Sequence, residues 1–138
     1  MKSAWLFPGQ ASQKVGMGKD LFAGSGLGKR YFESANDIMG CDIQSIIFND
    51  PEDTLKKTQY TQPAIYIVSV ILGDLLKEKG HSPNAVSGHS LGEYSALAVA
   101  NAFDFETGLS LVKIRAESMA KAGEVHEGTM AAIIGMDD

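Results

Sequence analysis

The segment from Gly88 to Gly92, with the sequence Gly-His-Ser-Leu-Gly, has the clearest chemical potential in this chain. A Gly-x-Ser-x-Gly pattern between a strand and a helix places the serine at a strained turn that presents its hydroxyl to a cleft. Glycine is needed at both ends because a Cβ there would collide with neighbouring backbone. Ser90 would lie at the start of the next helix, where unpaired N–H groups, the Leu91 N–H first, stabilise a developing oxyanion. The pattern therefore predicts that Ser90 is a nucleophile.

Two other interpretations of this segment remain open. In a chain with 15 glycines the pattern also arises by chance, and it can mark a tight turn that carries no chemistry. His89 is not expected to be the general base of Ser90, because adjacent residues on a sharp turn point apart and a base must come within about 3 Å of the hydroxyl. We interpret His89 as a residue that packs or hydrogen-bonds locally.

Strands and loops are expected on both sides of this turn. The apolar run from Ser3 to Phe7 predicts a buried first strand, and Pro8 and Gly9 then begin a loop that continues to Gly18. Residues 85–87 predict a second short strand, and residues 93–100 predict a helix of small apolar residues. A third strand is predicted over residues 129–135. Because loops at the carboxyl edge of a sheet commonly build sites, the loop after the first strand is expected near Ser90.

Four helices are predicted from the spacing of apolar residues. They cover residues 28–40, 42–48, 61–79 and 104–122. Thr61 is the expected N-cap of the third, with Pro63 in its first turn, and Asp104 is the expected N-cap of the fourth. Gly40, Gly80 and Gly123 are the expected stops. Strands that alternate with helices predict an α/β fold with a largely parallel sheet.

Composition excludes several classes of function. The 138 residues carry a net charge of −5 with scattered Lys and Arg, so no nucleic-acid partner is expected. The longest apolar stretch, from Ala64 to Leu76, is shorter than the about 20 residues that cross a bilayer, and the N-terminus does not resemble a signal peptide. The single cysteine, Cys41, is expected to pack near the core, and a chain with no disulfide fits a reducing cytoplasm.

Two further site types are not expected. The three histidines, His81, His89 and His126, show no metal-ligand spacing with each other or with Cys41, so no metal is predicted, and His126 is not expected to take part in Ser90 chemistry. The glycine-rich segment from Gly24 to Lys29 lacks the spacing of a phosphate-binding loop. It is predicted to be a flexible loop.

Four motifs together resemble a known enzyme family. They are Phe7-Pro8-Gly9-Gln10-Ala11-Ser12-Gln13, Gln62-Pro63-Ala64, the segment from Gly88 to Leu97, and the segment from Leu109 to Met119 that contains Arg115. Their order and spacing resemble those of the malonyl-CoA:acyl carrier protein transacylases of fatty acid synthesis. The resemblance implies that residues 1–124 form the N-terminal part of a large α/β-hydrolase-like subdomain with a parallel sheet and flanking helices. It also implies that residues 125–138 form a connector and the first strand of a ferredoxin-like small subdomain.

The resemblance also implies roles for individual residues. Ser90 would take a malonyl group from coenzyme A and pass it to the phosphopantetheine thiol of acyl carrier protein, with no cofactor. Backbone N–H groups of Gln10 and Leu91 would form the oxyanion hole, and Gln10 and His89 would also contact substrate. Arg115 would hold the malonyl carboxylate, because a guanidinium binds a carboxylate through two parallel hydrogen bonds. Ala11 stands where the family most often has glycine, a departure expected to change little.

Members of this family are considerably longer than this chain, and the resemblance implies that their second half supplies the general-base histidine. The 138 residues alone are therefore expected to be inactive, with apolar surface covered by that second half or by self-association. Two alternatives stay open. One is a module that docks acyl carrier protein without chemistry, and the other is a serine esterase, although no His-Gly-Gly-Gly-type oxyanion loop is present.

Overall fold

A two-stranded parallel sheet with helices packed around it forms the part of the chain described by the computed structural model, residues 2–125. The helices and strands of this part follow one another as β1 (Ala4–Phe7), α1 (Lys19–Gly24), α2 (Gly26–Met39), α3 (Ile43–Asn49), α4 (Thr58–Glu78), β2 (Ala85–Gly88), α5 (Gly92–Val99) and α6 (Phe105–Val125). The predicted α/β fold with a parallel sheet is confirmed.

The register of the two strands brings their carboxyl ends together. Ala4 pairs with Ala85 at one end of the sheet, and Phe7 pairs with Gly88 at the other. Because the strands are parallel, the loop that follows β1 and the turn that follows β2 leave the sheet side by side. The fold therefore places the two predicted site segments at one edge, as expected from the sequence.

Helix α4 is the centre of the apolar core. It packs against α6, α5, α2 and α3, and most of its side chains are buried. The largest fully buried apolar side chains include Phe32, Ile43, Ile47, Tyr66, Ile67, Ile71 and Leu109. The Tyr66 hydroxyl donates a hydrogen bond of 3.1 Å to the Phe105 carbonyl, which ties α4 to the first turn of α6. This contact fixes the start of the helix that carries Arg115.

Most predicted helix boundaries are confirmed. Asp42 and Asp104 accept hydrogen bonds from the backbone N–H groups of Ser45 and Thr107, at 2.9 and 2.8 Å, which caps α3 and α6. Gly40, with φ of 69°, follows α2, as the sequence predicts. The partly buried Cys41 contacts the core, which confirms its predicted place.

The predicted start of α4 is wrong. The helix begins at Thr58, and Pro63 lies inside it rather than in its first turn. Thr61 is fully buried, and its hydroxyl donates to the carbonyls of Leu55 and Lys57 at 2.5 and 3.1 Å instead of capping the helix. The helix tolerates Pro63 at the cost of one backbone hydrogen bond because the packed core around it supplies the stability.

Gly123 does not end α6, which continues to Val125, so that prediction is also wrong. Glycine ends a helix most effectively by taking a positive φ, and Gly123 is not among the glycines with positive φ in the described part of the chain. The predicted strand over residues 129–135, most of the proposed connector over residues 125–138, and His126 lie outside the described residues.

The predicted flexible loop from Gly24 to Lys29 is instead the junction of two helices. The Ser25 hydroxyl accepts a hydrogen bond from the Gly28 N–H and donates one to the Leu21 carbonyl, both at 2.8 Å. Ser25 therefore caps α2 and joins it to the end of α1. The sequence pattern did not predict α1, because its six residues are too few to show helical periodicity.

Candidate functional site

Ser90 occupies a sharp turn between β2 and α5. Its φ of 53° lies in the left-handed region, which a residue with a Cβ adopts only under strain. A Cβ on Gly88 would overlap the Gly92 carbonyl and the Glu93 N–H, and a Cβ on Gly92 would overlap the Phe7 carbonyl. The two glycines therefore let the chain reverse within five residues, and this turn has the geometry of a nucleophile elbow.

The loop after β1 is packed directly against this turn. The His89 N–H donates to the Phe7 carbonyl at 3.0 Å, which extends the pairing of the strands by one residue. A Cβ on Gly9 would lie 2.6 Å from the His89 carbonyl oxygen, so only glycine allows this approach. As a result, the backbone of Gln10 and the backbone of Ser90 belong to one rigid unit.

Several backbone N–H groups of this unit donate no hydrogen bond to an atom of residues 2–125, and those of Gln10, Ser90 and Leu91 are among them. Leu91 comes immediately after Ser90, and its side chain is buried beneath the turn. Unpaired N–H groups beside a nucleophile are the donors that an oxyanion requires.

Arg115 is the side chain that approaches Ser90. Its Nη2 donates a hydrogen bond of 3.0 Å to Ser90 Oγ, although 25 residues separate the two in the sequence. The guanidinium also lies over the Tyr94 ring, 5.8 Å from its centroid. Among the residues described, Arg115 forms no ion pair. Its charge is available to an anionic ligand next to Ser90.

Gln62 belongs to this site as well, and the sequence analysis gave it no role. Its side chain is 1% exposed, and its Oε1 accepts a hydrogen bond of 2.5 Å from Arg115 Nη1. The signal that could have found it is a glutamine within the otherwise apolar segment of α4, because a buried amide requires polar partners.

The side chain of Gln10 extends the same cluster. Its Nε2 donates to Thr58 Oγ1 at 3.3 Å, and its Oε1 lies 3.5 Å from Gln62 Nε2.

Ala11, the next residue, has φ of 84°, in the region that favours glycine. Its N–H donates to Gln13 Oε1 at 2.9 Å, and the Ser12 hydroxyl donates to the Gly9 carbonyl at 2.7 Å. The expectation that Ala11 changes little therefore has to allow for backbone strain in this loop.

His89 does not hydrogen-bond to Ser90 in the structure. Its imidazole is exposed and stands beside Gly9, where a Cβ would lie 2.8 Å from Nδ1. Within residues 2–125 the hydrogen-bonding partner of Ser90 Oγ is Arg115 alone, and Arg115 cannot accept the hydroxyl proton. The described part of the chain thus presents an oriented serine without a base.

Within residues 2–125, no helix combines the length and apolar character needed to cross a bilayer. Nor do three or more His, Cys, Asp or Glu side chains come close enough together there to hold a metal ion.

Comparison with known proteins gives a consistent result. The sequence profile of the family described as acyl transferase domain matches residues 4–136. A malonyl CoA-acyl carrier protein transacylase of Synechocystis sp. is 50% identical over 99% of this chain and 45% of its own length. The chain therefore spans less than half the length of this relative.

Solved structures give the same picture. The crystal structure of the malonyl-CoA:ACP transacylase of Synechocystis sp. PCC 6803 superposes with a TM-score of 0.84 and 52% identity, covering 88% of this chain and 41% of that one. A second structure is a complex between a type II PKS acyl-carrier protein and its malonyl-transacylase. It superposes with a TM-score of 0.82 and 40% identity, covering 88% of this chain and 40% of that one.

Proposed function

The chain belongs to the acyl transferase domain family, and we propose that it carries the nucleophile of a malonyl-CoA:acyl carrier protein transacylase. The observation that supports this most directly is the hydrogen bond of 3.0 Å from Arg115 to Ser90 Oγ. A fixed cation beside a nucleophilic serine suits an acyl group that carries its own carboxylate. The relatives of this chain are named for this activity, and the match covers nearly the whole length of the chain.

In the first half-reaction, Ser90 Oγ attacks the thioester carbonyl of malonyl-CoA. The bond from Oγ to the carbonyl carbon forms, the hydroxyl proton passes to a base, and the carbonyl oxygen becomes an oxyanion. The N–H groups of Gln10 and Leu91, which donate no hydrogen bond within residues 2–125, would bind this oxyanion. Collapse of the intermediate breaks the carbon–sulfur bond, and coenzyme A leaves as its thiol after taking up the proton.

In the second half-reaction, the phosphopantetheine thiol of acyl carrier protein attacks the malonyl-serine ester. The same oxyanion donors serve, and Ser90 recovers its proton as it leaves. The structural relative in complex with an acyl-carrier protein supports a carrier protein as the acceptor. Within residues 2–125 no imidazole hydrogen-bonds to Ser90 Oγ. We therefore propose that the base belongs to a segment that corresponds to the unmatched part of the relatives.

Arg115 would recognise the carboxylate of the malonyl group. A guanidinium offers paired donors to a carboxylate and stays charged at every working pH. The contact of Nη2 with Ser90 Oγ supports this role, because it brings the guanidinium close to the oxygen that would carry the malonyl group. His89 is exposed beside Gly9, and we propose that it contacts substrate from there. The site would therefore select malonyl over acetyl groups without any cofactor.

An exposed apolar face supports the idea that more protein surrounds this site. Leu72 is 46% exposed, Leu6 is 79% exposed, and a cavity of about 480 Å³ opens between β1 and α4. Apolar surface of this kind marks a contact site. We propose that the remainder of the family's fold covers this face, with residues 1–124 as the N-terminal part of the large subdomain and residues 125–138 as the connector and first strand of the small one. We also propose a cytoplasmic location, which fits a sequence with a single cysteine.

Covalent labelling tests the proposal. The chain is incubated with malonyl-CoA and with free imidazole, which replaces the base that residues 2–125 do not bring to Ser90, and intact-mass and peptide mass spectrometry are used to look for one malonyl group on Ser90. The Ser90→Ala variant should take up none, whereas Ser118→Ala, a control at an exposed serine of α6, should label like the parent chain. A malonyl group on a residue other than Ser90 would contradict the assignment of the nucleophile.

The same experiment separates the two alternatives. Binding of acyl carrier protein that is equal in the parent chain and in Ser90→Ala, with no acyl-serine, would favour a docking module without chemistry. The docking-module alternative stays open because no base contacts Ser90 Oγ within residues 2–125. Release of free acid faster than transfer to acyl carrier protein would favour an esterase.

A further inference from the structure

Gln62 is a polar side chain in the apolar interior, and every polar atom of its amide has a partner. Oε1 accepts from Arg115 Nη1 at 2.5 Å, while Nε2 lies 3.3 Å from Met119 Sδ and 3.5 Å from Gln10 Oε1. Burial of an amide is costly without such contacts. The side chain therefore has one low-energy arrangement, which bridges α4 to α6 and to the loop after β1.

The orientation of this amide follows from the chemistry of its neighbour. A guanidinium only donates hydrogen bonds, so the oxygen of Gln62 must face Arg115. The NH₂ group then faces Met119 and Gln10, which offer acceptors. One Arg115 nitrogen is thereby fixed by Gln62, and the other is directed at Ser90 Oγ.

The neutrality of Gln62 matters as much as its position. A carboxylate at this place would hold Arg115 equally well, but it would also neutralise the guanidinium as an ion pair. A substrate carboxylate would then have to compete with a built-in one. An amide directs the side chain of Arg115 while its positive charge remains available to a ligand.

We propose that Gln62 is a positioning residue that sets acyl selectivity. By holding Arg115 against Ser90 without neutralising it, Gln62 makes the site prefer acyl groups with a terminal carboxylate. This inference rests on the proposed function, since it takes Arg115 as the carboxylate anchor. Because Gln62 also contacts the side chain of Gln10, it joins the anchor to the loop that carries one oxyanion donor.

The test uses two variants that differ in whether Arg115 stays fixed, and one control. Gln62→Met keeps a similar length but removes the acceptor, whereas Gln62→Glu keeps an acceptor and adds a charge. Gln59→Met, one turn earlier on α4 and half-buried, is the matched control. The first measurement is the ¹⁵N NMR signal of the Arg115 guanidinium in the 138-residue chain, identified by its loss in Arg115→Ala. The second is the ratio of malonyl-CoA to acetyl-CoA affinity, from titration of the same samples, because only the malonyl group carries a free carboxylate.

We expect the Arg115 signal to show restricted rotation in the parent chain, in Gln59→Met and in Gln62→Glu, and averaged rotation in Gln62→Met. Malonyl-CoA affinity should fall roughly tenfold in Gln62→Met, from the loss of one hydrogen bond to a charged group, and by a similar factor in Gln62→Glu, from neutralisation. Acetyl-CoA affinity should change little. Unchanged rotation of Arg115 in Gln62→Met, or tighter malonyl-CoA binding in Gln62→Glu, would overturn the inference.

Failure of the proposed function gives a different result. If malonyl-CoA binds the parent chain and Arg115→Ala equally, the anchor role of Arg115 fails, whatever Gln62 does. If malonyl-CoA binding depends on Arg115 but neither Gln62 variant changes it, the anchor stands and the positioning role of Gln62 is wrong. The two variants differ in charge but little in size, so a general loss of structure would affect both alike and remove the predicted contrast in Arg115 rotation.

Discussion

Arg115 Nη2 and Ser90 Oγ lie 3.0 Å apart, so a permanent positive charge stands beside the oxygen that the sequence predicts to be a nucleophile. The contact joins α6 to the turn that begins α5, and α4 fixes the distance because both helices pack against it. A cation in this place lowers the energy of a bound carboxylate, but it cannot remove the serine proton. The described residues therefore bring a cation and backbone N–H groups without acceptors to Ser90, but no side chain in hydrogen-bonding contact that could take its proton.

Arg115→Ala should reduce acylation of Ser90 by malonyl-CoA far more than acylation by acetyl-CoA. Loss of a charged hydrogen-bond donor removes about 1.5–3 kcal/mol, or roughly 10- to 100-fold, for the substrate with a carboxylate only. The two rates are compared by mass spectrometry of the acyl-serine. Arg30→Ala, an exposed arginine on α2, is the control and should leave both rates unchanged. Equal loss of both rates in Arg115→Ala would rule out the carboxylate role.

Free imidazole should accelerate malonylation of Ser90 in this chain. Within residues 2–125 no side chain that can accept a proton hydrogen-bonds to Ser90 Oγ, and general-base assistance typically contributes about 10²–10⁴-fold. A rate that rises with the concentration of neutral imidazole, measured as acyl-serine formed, is the expected result. Ser90→Ala sets the background from direct attack of imidazole on the thioester. No dependence on imidazole would indicate that a base already reaches Ser90.

The two glycines of the turn permit a prediction about stability. Gly88→Ala should destabilise the fold by about 3 kcal/mol or more, because the added Cβ meets the backbone of Gly92 and Glu93, which cannot move aside. Gly123→Ala is the matched control, since a Cβ there meets open space within α6. It should stabilise the helix by about 0.5–1 kcal/mol. Urea unfolding measures the free energy of unfolding of both variants. A Gly88→Ala variant as stable as the parent chain would contradict the geometry of the turn.

These cases show what the sequence could predict. The turn at Ser90 follows from a local pattern of glycines, and the adjacency of Gln10 follows from two parallel strands, so both were predictable. The approach of Arg115 depends on how α4 and α6 pack, which no spacing within one segment reveals. Only the family resemblance predicted a role for Arg115, and its contact with Ser90 is seen only in the tertiary structure.

Gln62 and the start of α4 could not be predicted for related reasons. The role of Gln62 depends on the direction of one amide group inside a core, which is set by three partners distant in sequence. The start of α4 looked like a cap at Thr61 because Thr followed by Pro two residues later is typical of a helix N-terminus. The hydroxyl found its partners in the carbonyls of the preceding turn instead, where the core buries it.

Ala11→Gly should stabilise the loop after β1. Ala11 has φ of 84°, and the left-handed region costs an L-residue about 1–2 kcal/mol. Glycine removes this cost, but it also gives the unfolded chain more conformational freedom, which offsets part of the gain. A net gain of about 0.5–1 kcal/mol in the free energy of unfolding is expected. Thermal unfolding measures it, with Ala23→Gly, an exposed alanine in α1, as the control that should lose stability. A loss in both variants would show that Ala11 is not strained.

Asp104→Asn should make the stability of the chain less dependent on acid. Hydrogen bonds from the Thr107 side chain and backbone lower the pKa of Asp104 below its ordinary value of 3.8, because both favour the charged carboxylate. A lowered pKa in the folded state means that the group stabilises the fold above that ordinary value. This contribution is lost as the pH falls through 3.8 towards the folded-state pKa.

The parent chain should therefore have the higher Tm at pH 7, and its advantage over Asp104→Asn should shrink as the pH falls below about 4. Other carboxylates titrate equally in both proteins and cancel in the difference. The comparison also bears on the site, because Asp104 caps the helix that carries Arg115 and α6 begins at the next residue. A difference in Tm that stays constant from pH 7 to pH 3 would show that the negative charge of Asp104 does not stabilise this helix.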